Sequence, residues 1–149
     1  MKATGTLICL GGWVLAAAAQ LAFTLSVPLG KVVAFGVDLT HVRDMSLMHA
    51  AVYITCGLIL AIAAILAKKW RFPLVVIASL FYLLHWFPWR MVGKYGFTAV
   101  AHSKYLAGSI PSLRFISVIR DIVLPIAFTV AIALAISERR RYMVTAEGR

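Results

Sequence analysis

Four apolar stretches, each long enough to cross a bilayer, constrain this chain of 149 residues more than any other feature. They run over 6–27, 46–67, 72–91 and 117–137. A hydrocarbon core about 30 Å thick takes about 20 mostly apolar residues in a helix, the one single-segment structure that satisfies its own backbone polar groups. The composition agrees: 62% of residues are apolar and 13% charged, against about 45–50% and about 25% in soluble domains. Lys and Arg number 15 against 5 Asp and Glu. Most of these charges lie between apolar runs rather than on one water-facing surface, which excludes a basic nucleic-acid binder. The reading is all-α: one integral membrane domain over 1–149, a four-helix bundle running up-down-up-down.

The first run has some marks of a secretory leader, since Lys2 precedes it and Ala16 to Ala19 offer small residues for cleavage. Its apolar character continues to Leu29, past the about 7–15 residues of a leader core, so it is expected to remain as a helix. Basic residues orient the bundle. Lys2, Lys68, Lys69, Arg71, Arg139, Arg140, Arg141 and Arg149 crowd short segments on one side. Lys31, Arg43, Arg90, Lys94, Lys104 and Arg114 spread over two longer loops on the other. That density predicts cytoplasmic N- and C-termini.

Only 68–71 separate the second and third runs, so those helices are antiparallel neighbours. The outer loops cover 28–45 and about 92–114. In the second, Phe97, Val100, Ala101 and Tyr105 recur at helical spacing before Gly108, which predicts a short interfacial helix between helices three and four. Cys9 and Cys56 differ in depth by about 10 Å, too far for a disulfide. Gly11, Gly12 and the Ala16–Ala19 block read as a close-packing surface for a neighbouring helix.

The informative pattern is the placement of polar groups. Measured from the cytoplasmic end at 1.5 Å per residue, Gln20 stands about 21 Å up, His85 about 20 Å, Asp121 about 24 Å, Arg120 about 26 Å and His49 about 27 Å. Every helix thus delivers a polar group to the outer part of the bilayer, and His41 and His102 lie on that same side. Charged groups in a spanning helix are costly and usually face the bundle or a wet cavity. Spacing predicts a polar stripe of Ser46, His49, Tyr53 and Cys56 on helix two. It places Tyr82, His85 and Trp89 on one face of helix three and Gln20 with Thr24 on helix one. On helix four, Pro125 has no N–H, so the carbonyl of Asp121 loses its helical donor and a kink is expected beside a buried Arg120–Asp121 pair.

Several readings follow for this end of the bundle. A haem b site would use His49 and His85 as axial ligands, with Arg43, Arg90, Arg114 or Arg120 on the propionates. The about 7 Å difference in histidine depth and the lack of a nearby glycine weigh against it. A quinone pocket would use His49 or His85 with Tyr53 or Tyr82 as hydrogen-bond donors and Asp121 as proton relay. A single metal ion would take His49, His85 and Asp121. The plainer alternative is structural, with interfacial histidines and an Arg120–Asp121 ion pair reaching the headgroups. The chain is read as a small membrane subunit or binding module supporting haem or quinone electron transfer. Its expected partners are lipid and other membrane subunits or further copies of itself, with no nucleic acid.

Overall fold

The computed structural model describes residues 3–26, 39–86 and 111–147, with side chains left out at 39–50, 53, 85, 86, 111–113, 142 and 145–147. The described residues are helical, with no strand, and form four helices. Helix α1 is Thr4–Ser26 and α2 is Leu39–Leu66; a 3₁₀ turn, Lys68–Trp70, leads into α3, Arg71–Trp86. Helix α4 covers 111–147 in three parts: an α-helical start, Pro111–Val118, a π-helical segment, Ile119–Val123, and an α-helical remainder, Leu124–Glu147. Two helical segments, Thr4–Ser26 and Arg114–Arg141, are long and apolar enough to cross a membrane.

Two helices overrun the apolar stretches that announce them. Helix α2 starts at Leu39, so His41, Arg43 and Asp44 stand on the helix and not in the loop expected over 28–45. Helix α4 takes in Pro111 to Leu113, given above to a loop, and continues past Arg139–Arg141 to Glu147. Hydropathy marks where a bilayer is crossed, whereas Arg, Glu and Met propagate a helix almost as well as Leu does. Pro111 suits the start, where its missing N–H costs nothing. Residues 87–91 of the third apolar run and the interfacial helix expected over 97–105 lie outside the described residues.

The helices pack in a ring, each of α1 and α3 lying against both α2 and α4. The inward face of α1 is Gly5, Cys9, Gly12, Trp13, Ala16, Ala19 and Gln20, a spacing of three and four that fits one helical face. Half of the small-residue expectation holds: Gly12, Ala16 and Ala19 are buried, whereas Gly11 and Ala18 are exposed. Both glycines could not face the same neighbour, being about 100° apart on the helix. Near Gly5 the α1 and α4 backbones come so close that a Cβ would lie 2.9 Å from the Ala131 carbonyl oxygen.

Large rings fill the centre. Trp13, Tyr82 and Phe128 are essentially inaccessible, with Tyr82 stacked on Phe128 at 4.5 Å and Trp13 set edge-on to Tyr82 at 5.6 Å. Offset and edge-on pairs of this kind add about 0.5–1.5 kcal/mol beyond their buried area. The indole needs a recess in α2, and Gly57 makes it, since any Cβ there would collide with the Trp13 ring. Toward the 3₁₀ turn the packing continues with the small residues Cys9, Ala61, Ala64, Ala78, Ala131 and Ala135, and Ser79 Oγ donates to Cys9 Sγ at 3.6 Å. Cys9 is buried and Cys56 exposed, and both are free thiols.

Charged groups close the helix ends at the turn side. Glu138 Oε1 accepts the Thr4 amide at 3.1 Å, placing a carboxylate on the positive end of α1. Arg71 Nε donates to the Ala64 carbonyl near the end of α2 at 3.4 Å. Both contacts bridge elements that the sequence separates. The recess at Gly57 yields a paired prediction: Gly57→Leu overpacks the centre and lowers unfolding stability by about 1–3 kcal/mol, while Gly11→Leu, whose Cβ meets open space, changes it by no more than about 0.5 kcal/mol. Thermal unfolding of the purified protein compares the two, and equal losses would contradict the packing described.

Candidate functional site: a polar node at the π segment of α4

Pro125 organises this site through the hydrogen bond it cannot make. The Leu124 amide, which in an α-helix would bond to Arg120, bonds instead to the carbonyl of Ile119, five residues back. At the same five-residue spacing the donor for Arg120 would be residue 125, and that is proline. The Arg120 carbonyl is therefore passed over by both neighbouring turns. A buried carbonyl without a donor costs about 1–3 kcal/mol. Tyr82 supplies the donor: its hydroxyl reaches the Arg120 carbonyl oxygen at 3.0 Å, from a ring held between Trp13 and Phe128.

The structure adds a second carbonyl to the expectation for this turn. Besides the Asp121 carbonyl, whose α-helical donor would be Pro125, the carbonyl of Arg120 also loses its α-helical donor, because the π segment takes the Leu124 amide to Ile119. Such π segments occur often at functional sites, since the wide turn redirects side chains at little cost in backbone bonds. Farther along, Thr129 Oγ1 donates to the Pro125 carbonyl at 2.8 Å.

Two charged side chains leave the π segment in different directions. The half-buried Arg120 extends its guanidinium over the Phe23 ring of α1, 4.9 Å from the centroid, a cation–π geometry. Asp121 is exposed and accepts the Ser117 hydroxyl at 2.9 Å. The expected buried Arg120–Asp121 pair is thus not formed as a unit, because consecutive residues point about 100° apart on a helix. Gln20 and Thr24 do share the inward face of α1, where Thr24 Oγ1 donates to the Gln20 carbonyl at 3.0 Å. Ala19 and Ile116 close the packing beneath Phe23.

Of the residues singled out in the sequence, Tyr82 and Arg120 are brought into contact, and Asp121 stands beside them on the outer surface. His49 and Tyr53 lie on α2 and His85 on α3, with side chains outside those described. Arg90 and His102 fall outside the described residues altogether. The stripe expected on α2 does not reach Cys56 as an inward group. Cys56 is exposed, and the inward line is Gly57, Ala61 and Ala64. A series at i, i+3, i+7 and i+10 drifts around the helix by about 80°, so its last member leaves the face on which it began. Trp13 and Phe128, which fix the Tyr82 ring, carry no charge, so the pattern of ionisable residues in the sequence does not mark them. Neither a family model nor a characterised protein nor a solved structure matches the chain. The class defined by the chain itself is an all-helical protein, four-helical in its described residues, with two segments able to span a membrane.

The origin of the node predicts non-additive substitutions. Tyr82→Phe keeps the ring and removes the donor, lowering stability by about 1–3 kcal/mol. In a Pro125→Ala background a backbone N–H becomes available, and the same change costs less than about 1 kcal/mol. A double-mutant cycle on unfolding free energies measures the coupling. Equal costs in both backgrounds would mean that the proline does not create the need for Tyr82.

Proposed function

We propose that this chain is a four-helix integral membrane subunit or binding module. It crosses the bilayer at all four helices, with both termini on the cytoplasmic side. Its polar end binds haem or quinone for electron transfer within a larger membrane complex. Support for the membrane reading comes from the two spanning segments and from the exposed apolar side chains around the ring, among them Leu7, Leu25, Ile59, Leu84 and Ile126. Lys68, Lys69, Arg71 and Arg139–Arg141 gather at one end of the bundle, as a cytoplasmic face requires.

The observation that carries the binding role is the π segment. It departs from regular helix where Arg120 meets Tyr82 of α3 and Phe23 of α1, and the tyrosine sustains it. Arg120 at this level offers a cation to a haem propionate or a hydrogen-bond donor to a quinone carbonyl. His85 follows Tyr82 by one helical turn on α3, and His49 lies in the first half of α2. These positions suit axial ligation or proton transfer at the same end of the bundle.

Protein purified in mild detergent tests this directly. A Soret band that is lost in both His49→Ala and His85→Ala supports haem. A colourless preparation that releases quinone on organic extraction, with retention reduced about tenfold or more in Arg120→Gln, supports quinone; that loss corresponds to about 1.4 kcal/mol. Protein that carries neither, even when co-purified with its membrane partners, overturns the electron-transfer reading.

A further inference from the structure

At the end of the bundle remote from the π segment, two basic runs far apart in sequence come together. Lys68 and Lys69 stand on the 3₁₀ turn and Arg139, Arg140 and Arg141 on α4, and all five side chains are exposed. The guanidinium of Arg139 lies 4.6 Å from the centroid of the Phe72 ring at the start of α3, two residues past the turn, so the two basic runs share one end of the bundle. Lys68, Lys69 and Arg140 give this end a positive field that attracts anions. Glu138 is the one carboxylate at this end among the described side chains, and it is engaged by the Thr4 amide of α1.

The surroundings say what kind of anion fits. Trp70, 63% exposed, sits within the basic turn, and its amphipathic ring suits the membrane–water boundary. Arg140 lies one helical turn beyond the exposed Ile136, and α3 exposes Ile77 and Leu80. Cationic and apolar surfaces are therefore continuous, as a ligand with a charged head and hydrocarbon chains requires. Lys68 and Lys69 provide point charges, and Arg140 provides a planar fork matched to phosphate oxygens.

We infer that the seam between the 68–70 turn and α4 is a binding site for an anionic phospholipid. Its headgroup phosphate is held by Lys68, Lys69 and Arg140, and its chains lie along the apolar faces of α3 and α4. This site rests on the membrane reading above and is independent of any ligand at the π segment.

Full-length protein reconstituted in mixed phosphatidylcholine and phosphatidylglycerol vesicles, then extracted in detergent, allows native mass spectrometry to count retained lipids. Phosphatidylglycerol is expected to be retained in preference to phosphatidylcholine. The preference should fall about fivefold for each cation removed, in Lys68→Gln with Lys69→Gln and again in Arg140→Gln. Arg114→Gln, which removes an exposed charge at the opposite end, should leave it unchanged. Circular dichroism of each variant confirms that helices persist. Equal retention of the two lipids, an equal loss in Arg114→Gln, or displacement of the lipid by millimolar inorganic phosphate overturns the site. Protein that washes off the vesicles at alkaline pH overturns the membrane reading itself, a distinguishable failure.

Discussion

A single carbonyl group sets the geometry at the centre of this protein. The oxygen of Arg120 has no backbone donor, because the π segment takes the Leu124 amide to Ile119 and Pro125 has no amide hydrogen to offer. The Tyr82 hydroxyl fills that place. To do so, the tyrosine must lie deep between helices with its ring fixed, and the stack on Phe128 and the edge contact with Trp13 fix it. Trp13 in turn requires the absence of a side chain at Gly57. One backbone defect on α4 thus ties together residues from all four helices.

The same defect separates the polar residues by direction. With the register shifted, Arg120 crosses toward Phe23 on α1 while Asp121 is exposed beside Ser117. The Arg120 guanidinium lies over an aromatic face of a neighbouring helix. This puts the Arg120 cation at the level where α1, α3 and α4 meet.

The two ends of the bundle are built on different principles. At the π end, Tyr82, Thr24 and Ser117 hydrogen-bond within and between helices. At the turn end, charges dominate, and they cap helices as well as face outward: Glu138 on α1 and Arg71 on α2. Each capping contact joins residues from different elements, so formation of the bundle and neutralisation of its helix termini are one event.

The apolar runs were sufficient to place four helices and the short turn between the second and third, because burying twenty apolar residues leaves a helix few alternatives. Pro125 announced a disturbed turn, and Gln20 with Thr24 announced an inward face, both from local chemistry alone. Other features depended on contacts between residues distant in the chain. Which side chain serves the Arg120 carbonyl depended on the packing that sets Tyr82 between Trp13 and Phe128. Cys56 and Gly57 are adjacent in sequence, and only the bulk of an indole on another helix determines which of them faces inward. The sequence by itself determined where the four helices of the described residues form and where their charges lie, since hydropathy and backbone chemistry are properties of each segment. Tertiary structure alone decided which polar groups meet, since that follows from the fit of side chains across helices.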